Sequence, residues 1–503
     1  MDSGNAVDWF IDRHVAMGDG ARLAFRDPWR SLTYQDLATA TRRFAGALAL
    51  AGIGREQRMV LLLQDTIDFP IAFWGAMRAG VVPVPINTLL TPETVAYIVK
   101  DSRAAAVVIS AGLLATLGEV VRAPGVPVIV SDVNGFGAFL SGGDPETVTA
   151  TASPDEVAFW LYSSGSTGAP KGVRHIHSSL RFTAETYGAQ VLGIGPDDVM
   201  FSAAKAFHAY GLGNSLTFPM SVGASTVFLP DRPTPEAVLG MMRTHNPTLF
   251  GGVPTLYAGL LANPYIGPGA GSSRLRRCIS AGEALPADVG TRWKSVVGVD
   301  ILDGIGSTEM LHIFISNTPD DIRYGSSGKP VPGYDARIVD EHDRPVPHGE
   351  PGELVVRGDS AAEGYWNQRA KTRRTFQGAW TYTGDTYTRD AEGYFRFQGR
   401  SDEMLKVSGV WVSPFEVEEA LISHPAVLEA AVVGHQDRDG LVKPKAFVIL
   451  RDGDWDMAAL VTELQAHVKD RAGVWKYPRW IEFVESLPKT ATGKIQRFRL
   501  REV

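Results

Sequence analysis

From Leu32 to about Asp132 helix-like and strand-like segments alternate, and nothing else in the chain narrows its fold as much. Tyr34 to Ala51 reads as an Ala-rich amphipathic helix, Met59 to Leu63 as an apolar strand, Phe69 to Ala79 as a helix, and Val81 to Pro85 as a strand. Thr91 to Asp101 opens on Thr-Pro-Glu, a helix-start signal, and Ala105 to Ile109 returns to strand. Such alternation predicts a parallel sheet covered by helices. A Gly/Pro/Ser-rich passage from Ser141 to Pro154 interrupts it. It then resumes from Val157 through Ile301, which predicts a second α/β sheet.

Beyond about Tyr324 the texture changes. Ala336 to Val339, Gly352 to Val356 and Gly393 to Phe397 are short β-rich runs between turns, and they predict a small β-barrel-like unit. From Val412 a smaller α+β unit follows, with helices over Pro414 to Ser423 and Met457 to Arg471 and strands over Ala430 to Val433 and Ala446 to Leu450. The polar joint Gly399-Arg400-Ser401-Asp402 divides the chain into a large α/β domain, residues 1–400, and a small C-terminal domain, residues 401–503.

Several classes are excluded by composition. The formal net charge of −7 offers no basis for a nucleic-acid or anionic-membrane partner. No apolar run reaches the length of a membrane span, and Met1 to Asn5 has neither the basic nor the apolar part of a signal peptide, so a cytoplasmic protein is expected. One cysteine, Cys278, rules out an intrachain disulfide and a cysteine-based metal cluster. It sits in a probable strand and reads as a small buried hydrophobe, so any thiol used in thioester chemistry would come from outside the chain.

The chemistry gathers at element junctions. Val157 to Leu161 reads as a buried strand, followed by the loop Tyr162-Ser163-Ser164-Gly165-Ser166-Thr167-Gly168-Ala169-Pro170-Lys171-Gly172 and then by Val173 to Leu192, where charged and apolar residues mix at roughly helical spacing. Small residues there let backbone N–H groups approach a phosphate chain, while hydroxyls and Lys171 add donors and charge. A flexible linker has similar composition, but this run is wedged against an apolar strand and carries a lysine. It is no Walker A loop, since Lys171 follows Pro170 and Gly172 stands where Ser or Thr is needed. After a strand at Val299 to Leu302, Asp303-Gly304-Ile305-Gly306-Ser307-Thr308-Glu309 offers glycines for packing against a flat ring and a carboxylate for a hard cation. Tyr382-Thr383-Gly384-Asp385 places a carboxylate able to accept from both hydroxyls of a ribose. Arg400 stands at the domain joint, and Pro488-Lys489-Thr490-Ala491-Thr492-Gly493-Lys494 carries two lysines on a turn-prone segment. Taken singly, these last three also read as a turn, a charged linker and a basic tail.

The order and spacing of these motifs, over nearly the whole chain from about Leu32 to Arg499, resemble the acyl-adenylate-forming superfamily, and within it the aryl-CoA ligases of the benzoate-CoA ligase type. The resemblance also rests on Ala209-Tyr210-Gly211-Leu212-Gly213-Asn214, Gly252-Val253-Pro254-Thr255-Leu256-Tyr257 and Gly304 to Phe314. It implies a two-step reaction. A carboxylate attacks the α-phosphate of ATP, giving acyl-AMP and pyrophosphate, and the thiol of coenzyme A then displaces AMP. It also implies a mobile C-terminal domain and a set of roles. Ser163, Ser164, Gly165, Ser166, Thr167, Gly168 and Lys171 would hold the triphosphate, Thr308 the α-phosphate and Glu309 a Mg²⁺ ion. Gly282, Glu283 and Ala284 would face Asp303, Gly304 and Ile305 across adenine, and Asp385 and Arg400 would hold the ribose. Lys494 would bridge carboxylate and α-phosphate, Asp402 would be the hinge, and Gly409 would line the CoA channel.

The same resemblance places Ala209, Tyr210, Gly213, Phe250, Gly306, His312 and Ile313 around a slot for one aromatic ring, with His208 and His312 as donors to a ring substituent. Benzoate and its hydroxy or amino derivatives are then the expected acids. His208, carried over as a catalytic position, stands where benzoate-activating relatives are expected to have an aromatic residue. Ordinary core packing is the competing reading of Tyr210 and Ile313. The acceptor is free CoA or the phosphopantetheine of a carrier protein. A medium-chain or cyclic acyl-CoA synthetase and a non-catalytic nucleotide-binding relative compete with the aryl-CoA ligase, and the protein is expected as monomer or homodimer.

Overall fold

The computed structural model describes residues 4–122, 125–132, 134–165, 168–401, 403–407, 410–438, 441–489 and 495–501. Ser166, Thr167, Asp402, Gly409 and Lys494 lie outside the described residues, and of Ser164, Gly165 and Gly168 only the backbone is described. Two compact units emerge: Met1–Asp335 with Val356–Thr381, and Ala336–Val355 with Tyr382–Val503.

Two helix-covered sheets form the first unit. The smaller has four parallel strands in the order Val82–Pro85, Arg58–Leu62, Ala104–Ser110 and Val128–Ser131. The helix Tyr34–Leu50 is closed by a capping box, in which the Thr33 hydroxyl accepts from the Asp36 N–H and the Asp36 carboxylate from the Thr33 N–H, each at 3.1 Å. Its buried residues Leu37, Thr41, Phe44 and Leu48 recur at helical spacing. Arg78, at the end of the helix Asp68–Arg78, is only 1% exposed, and both of its terminal nitrogens donate to the Asp12 carboxylate at 2.8 Å. That pairing makes the buried charge tolerable.

The larger sheet has nine strands. Its parallel run is Ile301–Gly306, Arg277–Ser280, Leu249–Gly252, Val199–Ser202, Ser225–Val227 and Leu23–Arg26. Antiparallel edges are added by Ile313–Ser316 and Lys329–Pro330 on one side and Ser31–Thr33 on the other. Cys278 is fully buried in the core of this sheet, and burial pushes its thiol up to about 12, as befits a packing residue.

The expected strand–loop–helix around Lys171 is corrected. Val157–Gly165 runs four residues past Leu161, and Gly168–Ile176 returns antiparallel to it, so the glycine- and serine-rich stretch is the end of a hairpin and Lys171 lies in a strand. The helix expected from Val173 begins only at His177. Glycines and Pro170 mask the strand in the sequence, yet a separate two-stranded ribbon, in which both strands are edges, accommodates them.

The β-rich segments Asp335–Val339, Gly352–Arg357, Trp380–Arg389 and Phe395–Arg400 join, with Phe376–Gln377, into a five-stranded sheet where the barrel-like unit was expected. In the second unit the C-terminal part is α+β. Val427–Gln436 pairs antiparallel with Val442–Leu450, which pairs parallel with Trp480–Phe483. The helices Pro414–Ile422 and Met457–Ala472 pack on this sheet through Val417, Leu421, Leu460, Leu464 and Val468. Among the described residues no helix is long and apolar enough to cross a membrane.

Candidate active site

Three segments of the first unit, distant in sequence, converge on one carboxylate. Ile301–Gly306 and Ile313–Ser316 form a hairpin whose connection, residues 307–312, carries Thr308 and Glu309. That loop is fixed locally by the Met310 N–H donating to the Ser307 hydroxyl at 3.2 Å and the Leu311 N–H to the Thr308 carbonyl at 3.2 Å. Lys171 arrives from the hairpin strand, where it lies opposite Ser163. Its ammonium is 3.1 Å from Glu309 Oε1.

Between them stands Tyr365, a residue the sequence reading missed. Its hydroxyl donates to Glu309 Oε1 at 2.8 Å and accepts from Lys171 Nζ at 2.8 Å, and the ammonium also lies 4.0 Å from the ring centroid. Tyr365 is 4% exposed and its segment is stitched on both sides. Ala362 N–H donates to the Glu309 carbonyl, Arg174 N–H to the Gly364 carbonyl and Trp366 N–H to the Gly172 carbonyl. Burial acts to raise the Glu309 carboxyl, but Lys171 and the Tyr365 hydroxyl more than offset it and hold the group below its ordinary range.

The positions expected to enclose adenine include a buried acid. Asp303 faces Ser280 across adjacent strands and accepts from the Leu285 N–H at 3.4 Å. Burial pushes its carboxyl up to about 8, against hydrogen bonds from Ser280, Leu285 and Gly304. Gly282 has a φ of +96°, which turns the chain between Ser280 and Leu285, and Glu283 and Ala284 are half-buried beside it.

Tyr210, Gly213 and His312 do come together. Tyr210 lies in the helical turn Ala209–Leu212, which follows His208, whose carbonyl accepts from the Leu212 N–H at 2.7 Å. The Tyr210 hydroxyl points at the carbonyls of Ile279, at 2.9 Å, and Gly252, at 3.1 Å. His312 Nε2 lies 3.2 Å from the Tyr210 carbonyl, an acceptor only, so Nε2 carries the proton. Burial lowers this imidazole to about 3, so it is neutral. Its N–H is thus committed to the backbone, which corrects the expectation that it donates to a ring substituent. Gly213 has to be glycine because a Cβ there would lie 2.8 Å from His312 Nε2 and 2.9 Å from Phe218 Cζ. Tyr187, also missed, packs 5.1 Å from the His312 ring.

Ala209 and Gly306 are half-buried, and Gly306 pairs with Ile313 across the hairpin. Ile313 is 1% exposed, with its Cγ2 lying against Gly304. Phe250 is not with them. Successive strand residues face opposite sides, and since Gly251 faces Asn214 and Ser202, Phe250 turns to the other face, into the core with Phe201, Tyr257 and Cys278.

In the second unit Asp385 and Arg400 occupy paired positions of adjacent strands. Arg400 donates to Asp385 Oδ1 at 2.8 Å and to the Thr383 carbonyl at 3.1 Å. The described chain flanking Lys494 is pinned. Lys489 bridges to Ile495, Gln496 N–H donates to the Pro488 carbonyl, and Arg497 holds Glu418 at 2.7 and 3.0 Å and Glu403 at 3.0 Å.

The first unit thus joins a glycine- and serine-rich hairpin to an ion pair bridged by a buried tyrosine. Residues 12–366 match the model of the AMP-binding enzyme family, and residues 416–494 that of the AMP-binding enzyme C-terminal domain. The chain belongs to the AMP-binding enzyme family. It is 52% identical to a benzoate–CoA ligase of Thauera aromatica, over 99% of this chain and 95% of that one. With a 4-hydroxybenzoate–CoA/benzoate–CoA ligase of Rhodopseudomonas palustris the identity is 50%, over 100% and 94%. The crystal structure of a benzoate CoA ligase from Burkholderia xenovorans LB400 superposes with a TM-score of 0.92 at 47% identity, covering 99% of each chain.

Proposed function

We propose that this chain activates a single-ring aromatic acid of the benzoate type, hydroxy- and aminobenzoates included, with ATP and transfers the aryl group to coenzyme A. The products are aryl-CoA, AMP and pyrophosphate. The observation that carries the aryl assignment is the Tyr210–His312 pair. The Tyr210 hydroxyl and His312 Nε2–H are spent on backbone carbonyls, which fixes the two rings with their centroids 5.7 Å apart and offers aromatic surface to a single-ring acid.

Attack of the carboxylate on the α-phosphate builds negative charge on phosphate oxygens, so positioned cations and N–H donors do most of the catalysis. In this reading residues 163–171 cradle the triphosphate, with Lys171 as its cation, and Thr308 holds the α-phosphate. Residues 282–284 and 303–305 enclose adenine, and Asp385 and Arg400 hold the ribose. Glu309 is suited to Mg²⁺. It is an ionised oxygen ligand beside which an ammonium already lies, and no cluster of three or more metal-binding side chains accompanies it among the described residues. Mg²⁺ bound through one carboxylate and substrate phosphates would supply charge neutralisation. Lys494 serves adenylation, Asp402 is the hinge between a domain ending at residue 400 and the C-terminal domain, and Gly409 lines the path of pantetheine.

The test is kcat/KM for thioester formation with benzoate, hydroxybenzoates, aminobenzoates and octanoate. A benzoate is expected to lead. Preference for octanoate over every benzoate would overturn the aryl assignment.

A further inference from the structure

We infer that Tyr365 is a positioning residue of the nucleotide site, keeping the Glu309 carboxylate oriented while Lys171 exchanges that carboxylate for a phosphate. The inference rests on the roles proposed above for Lys171 and Glu309. In the structure these two groups neutralise each other at 3.1 Å. Neither can serve a Mg²⁺-bound triphosphate from that pairing alone, because the ammonium lies where the cation's charge is needed. As the nucleotide enters, Lys171 has to leave, and Glu309 would then lose its only ion-pair partner among the described residues.

The Tyr365 hydroxyl solves this by its position. It has one proton to give, directed at Glu309 Oε1 at 2.8 Å rather than at Thr375 Oγ1 at 3.3 Å, and a lone pair that accepts from Lys171. When the lysine departs, the donated hydrogen bond to Oε1 persists. Rotation of the carboxylate is then restricted, and Oε2 stays available to a metal. The ring gives Lys171 a second attraction, a cation–π contact at 4.0 Å, so the ammonium can slide off the carboxylate without leaving the site. The hydroxyl cannot follow it. The backbone around Tyr365 is bonded to the Lys171 strand, to the Glu309 carbonyl and, through Tyr365 N–H, to the Thr372 hydroxyl at 3.0 Å. Tyr365 thus joins the two polar elements of the site into one rigid frame. Hydrogen-bond partners of a metal-binding carboxylate typically govern metal affinity by about 10–100-fold.

The experiment is isothermal titration of Tyr365→Phe and of the unaltered protein with ATP, once with Mg²⁺ and once with EDTA. The variant keeps the ring and its packing against Phe376 and loses only the hydroxyl. The expected result is a fall of about 10–100-fold in affinity for ATP with Mg²⁺ and little change in EDTA, with the ligand-free melting temperature nearly unaltered. An equal fall in both titrations means a merely structural residue and overturns the inference, as does no change in either. Glu309→Gln is titrated in parallel. If it retains full Mg²⁺ dependence, the assignment of Glu309 fails. If it loses that dependence while Tyr365→Phe does not, only the inference about Tyr365 fails. Should Tyr365→Phe fold poorly, Thr375→Val, which leaves the hydroxyl to Glu309 alone, is expected to preserve or tighten Mg²⁺-dependent binding, and a loss there contradicts the proposal.

Discussion

Gly213→Ala adds one methyl group where the structure leaves no room for it. The new Cβ would lie 2.8 Å from His312 Nε2, closer still to Cδ2, and 2.9 Å from Phe218 Cζ. Ordinary contact needs about 3.5–4.0 Å, so the imidazole must retreat by roughly 1 Å. Its hydrogen bond to the Tyr210 carbonyl, 3.2 Å long, does not survive that displacement. Phe218 and Tyr187, at 4.5 and 5.1 Å between ring centroids, block an easy escape. Overpacking costs about 1–3 kcal/mol, and the lost hydrogen bond adds about 1 kcal/mol. Half of that total, expressed as displacement of Tyr210 from the proposed acyl slot, lowers kcat/KM for benzoate by about 5–30-fold. The assays are benzoate-dependent pyrophosphate release, the KM for ATP, which should change little, and thermal melting. The double variant Gly213→Ala/His312→Ala removes the clash with the imidazole, leaving that with Phe218, and should recover part of the loss. A single variant within twofold of the unaltered protein in kcat/KM, or a double variant worse than either single one, would refute the reasoning.

Lys494→Ala should reduce acid-dependent pyrophosphate release by several orders of magnitude, on the scale of losing a key charge-stabilising donor or more, while presynthesised aryl-AMP and CoA still give thioester at a comparable rate. Equal damage to both half-reactions contradicts that role. Asp402→Pro fixes φ at the proposed hinge and should spare one half-reaction more than the other, with unchanged rates in both placing the hinge elsewhere. Burial lowers His175 and His312 to about 4 and about 3 in the folded protein. The unfolded chain, titrating near 6.5, binds more protons between those values, so stability falls as pH drops below about 6.5. Each group contributes about 1.4 kcal/mol per pH unit, and melting curves from pH 7 to pH 5 should slope less steeply in His175→Phe, whose ring can keep the stack on Phe159. Identical slopes would remove His175 from the account.

Much of the fold was legible because alternation of apolar strands and amphipathic helices is a local signal, and the helices Tyr34–Leu50, Asp68–Arg78 and Pro92–Asp101 fall within a residue or two of their expected limits. The hairpin at Gly168–Ile176 was not legible. Its glycines and proline carry no strand propensity, and only pairing with Val157–Gly165 makes it extended. Phe250 was misplaced for a parity reason. Which residues of a buried strand face which side is set by its neighbours, and Leu249–Gly252 is buried throughout. The donor role expected of His312 failed because the Tyr210 carbonyl that takes its proton lies 102 residues away. Tyr365 left no trace for the same reason. It meets Lys171 across 194 residues, and in the sequence Gly364-Tyr365-Trp366 is an ordinary aromatic turn.

The central claim is that the chain makes an aryl-adenylate before any thiol takes part. Exchange of labelled pyrophosphate into ATP, measured without CoA, tests it most directly, because exchange requires that the first step run forward and back on the enzyme. The expected result is label in ATP that depends on a benzoate-type acid and on Mg²⁺ and does not need CoA. Exchange that appears only with CoA, or that proceeds equally without the acid, would contradict it.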